Sequence, residues 1–150
     1  MKMYRSLVPL IAAGVLAAAA PAADAEVNRS FDFRTPVFVN EGRAHTWGLA
    51  SFKSARRVVL TGRLNDECPG DGFGAYLDVT AYQLGGGSLQ YLAKDIGGCK
   101  DKDGIAYSFD IRSSTRKITS LSLRLYECDT DGLCGGYGNE KVVRFENPYG

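Results

Sequence analysis

The chain has 150 residues, 18 basic and 17 acidic, for a formal charge of +1 with its single histidine neutral. That balance excludes a global pull toward nucleic acid or anionic membrane, so a charge-based function must come from local clustering.

The first segment reads as a leader, not as part of the fold. Lys2 and Arg5 precede an uncharged, alanine-rich run from Leu7 to Ala20, and Pro21 breaks any helix there. Ala23-Asp24-Ala25 then offers the small-x-small pattern that signal peptidase cuts. The run of 14 residues is short of the roughly 20 needed to span a bilayer as a helix. No cysteine sits at the cut, and no later segment is apolar enough to span. The expectation is a cleaved signal peptide at 1–25 and one secreted, extracellular domain at 26–150, without a membrane span.

Downstream, apolar and polar residues alternate with the period of two that marks half-buried strands. Val58, Leu60, Gly62 and Leu64 share one face of 57–65, opposite Arg57, Thr61 and Arg63. In 75–83, Ala75, Leu77, Val79 and Ala81 oppose Tyr76, Asp78, Thr80 and Tyr82. Tyr107, Phe109 and Ile111 alternate with polar residues, as do Leu121, Leu123 and Leu125 with Ser122, Arg124 and Tyr126. Weaker strands fit at 35–40, 44–52, 89–94 and 140–146. Glycine-rich clusters at 69–72, 85–88, 97–98 and 135–136 supply turns. No mature segment shows a helical period. The pattern predicts an all-β domain, an antiparallel β-sandwich (jelly-roll-like) or small barrel of about eight strands.

Cys68, Cys99, Cys128 and Cys134 are even in number and lack C-x-x-C spacing, which favours disulfides over zinc. Three pairings are possible, and Cys68–Cys99 with Cys128–Cys134 is the expected one. If every connection joins antiparallel strands, the loops alternate between two ends. One end then collects ten acids and three bases from 40–43, 66–73, 95–104 and 127–139, along with all four cysteines. The other collects Lys53, Arg56, Arg57, Arg112, Arg116 and Lys117 with no acid from its loop segments.

Four groups carry candidate chemistry. Asp101 and Asp103, and Asp129 and Asp131, each precede a glycine, as in loops that begin a calcium oxygen shell, although neither completes an EF-hand. Calcium is the only cofactor suggested. His45 is the only imidazole available as a base, and no serine or free thiol stands in a nucleophile motif. A paired-carboxylate hydrolase needs no histidine but has no positive sign here. Tyr76, Asp78, Thr80 and Tyr82 resemble a carbohydrate surface, where aromatic planes meet sugar rings and polar neighbours fix orientation. The arginines Arg56, Arg57, Arg112 and Arg116, with Lys117, suit an anionic wall polymer. Each group also has a plain reading, as solvated loops or an ordinary sheet surface.

These features favour a non-catalytic extracellular protein that binds a polysaccharide, an anionic wall polymer or a protein partner, with no nucleic acid expected. A secreted protease inhibitor using the loop between Cys128 and Cys134, a small hydrolase, and a self-assembling surface protein remain open.

Overall fold

A computed structural model describes residues 25–36, 42–67, 73–97, 103–129, 134 and 140–150. Eight strands form: β1 (Val27–Arg34), β2 (Arg43–Ser54), β3 (Arg57–Glu67), β4 (Phe73–Gln83), β5 (Ser88–Asp95), β6 (Ile105–Arg112), β7 (Ile118–Asp129) and β8 (Glu140–Glu146). They make two antiparallel four-stranded sheets, ordered β1-β2-β3-β6 and β5-β4-β7-β8. The domain is a β-sandwich, and among the described residues no helix is long and apolar enough to cross a membrane. The expected leader falls almost wholly outside the described residues.

The alternation predicted for β3, β4, β6 and β7 is the one observed. Leu60, Leu64, Leu77, Val79, Leu121, Leu123 and Leu125 are completely buried between the sheets. One cross-strand row on the inner face runs Phe31, Gly48, Gly62, Tyr107. A Cβ on Gly48 would lie 2.9 Å from the Phe31 ring, and one on Gly62 would lie 2.6 Å from the Tyr107 hydroxyl. The two glycines therefore make room for two aromatic rings lying over the sheet. Thr46 Oγ1 donates to the Arg63 carbonyl at 2.9 Å, which leaves the buried Tyr107 hydroxyl to donate to Thr46 at 2.9 Å. Burial pushes the Tyr107 phenol up to about 12.

The first strand is not where the sequence pattern put it. It spans Val27–Arg34 instead of 35–40, and residues 37–40 lie outside the described residues. Val27, Phe31 and Phe33 keep the inward period, but Arg29 interrupts it at the sheet margin and disguises it. Pro36 has no N–H to give a ladder, which argues against a strand through it.

Antiparallel pairing sends successive connections to opposite ends. Residues 55–56, 84–87 and 113–117 meet at one end, where Ser113 N donates to Arg56 O, Ile118 N to Ala55 O and Leu84 N to Lys117 O. The other four connections leave from the opposite end. There Cys128 and Cys134 form a disulfide and an isolated antiparallel bridge. The Cys68–Cys99 pairing lies outside the described residues.

Candidate binding surface

The outer face of the β5-β4-β7-β8 sheet is a lattice of four cross-strand rows set by register. The first holds Lys94, Tyr76, Tyr126 and Glu140, and the second Leu92, Asp78, Arg124 and Val142. Below them come Gln90, Thr80, Ser122 and Arg144, then Ser88, Tyr82, Ser120 and Glu146. Tyr76, Asp78, Thr80 and Tyr82 thus do share the outward face of one strand. The two tyrosines are six positions apart, so they stand roughly 20 Å from each other along β4.

The upper half of the lattice is tightly tied. Tyr76 stacks on Tyr126 with centroids 5.6 Å apart and planes 16° from parallel. Arg124 lies over the Tyr126 ring at 5.0 Å and bonds Glu140 through Nε at 2.7 Å. Tyr126 donates its hydroxyl to Asp78 Oδ1 at 3.1 Å. Partial burial, then the adjacent Asp78 carboxylate, pushes the Tyr126 phenol up to about 12. Glu140 holds the Arg124 guanidinium above its usual range.

The lower half is more open. Tyr82 is 41% exposed, with Arg144 over its ring at 5.2 Å. A depression of about 300 Å³ is lined by Asp78, Val79 and Thr80, which lie between the two tyrosines along β4, and by Gln90, Tyr91 and Leu92 of the adjacent β5. Lys94, Arg124 and Arg144 are matched by Asp78, Glu140 and Glu146, so this face has no net charge. Tyr126, Arg124 and Leu92 were not singled out as site residues from the sequence. Their polar-face alternation is visible there, but which strands lie side by side is not.

The basic residues cluster as expected but are largely engaged. Asp110 accepts from Arg57 Nε at 3.0 Å and from Arg112 Nε at 3.0 Å, and Lys53 pairs with Glu26. Those guanidiniums hold the Asp110 carboxyl well below the usual range, Arg112 contributing most. Arg116 donates to the Gly86 carbonyl. Among the described residues only Arg56 and Lys117 of this group keep an unengaged cationic head.

His45 is no free base. Its Nε2 lies 2.8 Å from Asp32 and its Nδ1 3.0 Å from Glu67, and its ring sits 4.4 Å from that of Trp47. Burial works against ionising Glu67, but hydrogen bonds from Arg43 and Arg34 prevail and hold its carboxyl below the ordinary value. Trp47 shares the outer face of the other sheet with Asp32 and Arg63.

The calcium candidates are only partly described. Asp101 and Asp131 lie outside the described residues, as does the side chain of Asp129. Asp103 is exposed, and its carbonyl accepts from Arg63 Nε at 2.6 Å. Among the described residues no three His, Cys, Asp or Glu side chains gather as a metal site. No protein-family model matches this chain, and no curated protein matches it.

Proposed function

We propose that the protein is a non-catalytic extracellular binding protein that holds a neutral polysaccharide along the outer face of β4. One observation carries this reading: Tyr76 and Tyr82 face outward from β4, and the stretch of strand between them borders a depression whose lining includes Asp78, Thr80, Gln90 and Leu92. A sugar ring has an apolar C–H face that seats on an aromatic or on Leu92, and hydroxyls that bond carboxylate, hydroxyl and amide groups. The separation of roughly 20 Å accommodates several sugar units in a row. Charge matching across the face supports an uncharged chain. Engagement of Arg57, Arg112 and Arg116 within the protein takes support away from the anionic alternative.

Retention on insoluble glucan, chitin, xylan and wall material tests this. Tyr76→Ala with Tyr82→Ala weakens retention on one of them, each lost aromatic costing about 1–3 kcal/mol by analogy with base stacking. A folded double variant retained as well as wild type on every material tested rules the reading out.

A further inference from the structure

Asn28-Arg29-Ser30 at the start of β1 reads Asn-x-Ser without a proline at its middle position, and no other asparagine of the chain has a serine or threonine two residues on. This triplet is the acceptor pattern for attaching an oligosaccharide to an asparagine amide on an exported chain. Glu26 stands two residues upstream and completes the longer acid-x-Asn-x-Ser form that some transferases require.

The fold leaves the triplet where it can carry a sugar. Asn28, Arg29 and Ser30 are all exposed, and β1 is a margin strand that pairs with β2 alone. Asn28 and Ser30 share the outer face, with Phe31 buried on the inner one. Ser51 Oγ donates to Asn28 Oδ1 at 2.7 Å. That bond engages the amide carbonyl and leaves out Nδ2, the atom to which a sugar is attached. The adjacent Glu26 carboxylate, which the Asn28 amide also reaches, needs only one of the two Nδ2 protons.

We propose that Asn28 is an N-glycosylation site whose sugar comes from a lipid-pyrophosphate-linked oligosaccharide. The inference rests on the extracellular part of the reading above, because the transferase acts on exported chains. Asn28 Nδ2 attacks the anomeric carbon of the donor. The C–N bond forms as the bond from that carbon to the pyrophosphate oxygen breaks, the lipid pyrophosphate leaves, and one amide proton passes to a base of the transferase. Nothing is oxidised or reduced. The amide carbonyl is unchanged, so the bond from Ser51 persists in the product.

The sugar stands on the outer face of the β1-β2-β3-β6 sheet, whereas Tyr76 and Tyr82 face outward from the other sheet. Glycosylation therefore leaves the candidate binding surface clear. It also sets a bulky, solvated group beside the unpaired backbone margin of β1, where it opposes the addition of a foreign strand.

The test is to express the full chain in a secreting host that has an oligosaccharyl transferase for Asn-x-Ser, and to weigh the product recovered from the medium. The expected product is heavier than its polypeptide by one oligosaccharide. Peptide N-glycosidase removes that increment, Asn28→Gln and Ser30→Ala each abolish it, and Ser30→Thr, which keeps the hydroxyl, retains it. A secreted chain at the bare polypeptide mass overturns the proposal and leaves the extracellular reading standing. So does an increment that survives Asn28→Gln. A chain held wholly inside the cell overturns the extracellular reading, and this inference with it.

Discussion

Tyr76 on β4 and Tyr126 on β7 stand directly opposite each other in the ladder, and their rings are stacked with planes 16° apart. Arg124 also lies over the Tyr126 ring, 5.0 Å from its centroid, so Tyr126 joins Tyr76 and Arg124 in one stacked group.

Tyr126→Phe separates the hydroxyl from the stack. It keeps the ring but loses the hydrogen bond to Asp78, at a cost of about 0.5–1.5 kcal/mol. An ultraviolet titration gives a second readout. With its phenol raised to about 12 in the folded protein, the stabilisation is fully present below the ordinary tyrosine value of 10.0 and is lost as pH rises through the folded value. Tyr126 and Tyr107 should ionise in a late alkaline phase, and Tyr126→Phe should halve its amplitude. An unchanged late phase places Tyr126 in a freer environment than described.

Gly62→Ala tests the row of rings over glycines. The added carbon would lie 2.4 Å from the Trp47 carbonyl and 2.6 Å from the Tyr107 hydroxyl. The backbone cannot yield as a flexible side chain can, so the expected loss is about 1–3 kcal/mol or more in urea unfolding. A variant as stable as wild type refutes the close approach.

Asp110 sits between Arg57 and Arg112, with its carboxyl held well below the usual range. A depressed carboxylate stabilises the fold above the ordinary aspartate value, and this is lost as pH falls through the folded value. Asp110→Asn should therefore melt below wild type at neutral pH, the gap closing toward about pH 2. The effect shrinks with added salt because the groups are exposed. A constant gap across pH would show that the ion pairs are not its source.

Removing the Cys128–Cys134 bridge by a double serine substitution should cost about 2 kcal/mol, the value expected for so short a loop. Equilibrium unfolding with and without the bridge measures it.

How much of this could be read in the residues varies by element. The inward sets of β3 and β4 were plain because Leu60, Leu64, Leu77 and Val79 never break period. β1 was hidden by Arg29, which its margin position leaves in solvent. On the candidate surface, the outward direction of Tyr76 and Tyr82 follows from alternation alone. Arg124 over Tyr126, and Leu92 beside Asp78, depend on the order β5-β4-β7, which local pattern does not encode. The engagement of Arg57 and Arg112 was missed for a related reason. Asp110 lies within a strand, so the charges of the loops alone do not reveal it.

Tyr149 donates its hydroxyl to the Ala25 carbonyl, and Asn147 reaches from the end of β8 to the carbonyls of Ser54 and Ile118. The start of β1 and the end of β8 thus meet beside the short turns. A brief linker from Gly150 to Ala25, with new termini opened at Gly85-Gly86, where both residues have positive φ and an added Cβ would meet nothing within 4 Å, would give a circular permutant of residues 25–150 with every strand neighbour kept. The same adjacency sets the orientation of any tether. Chain leaving Ala25 or Gly150 thus leaves from the end that carries the arginine-bearing turns, opposite the end that carries the disulfide.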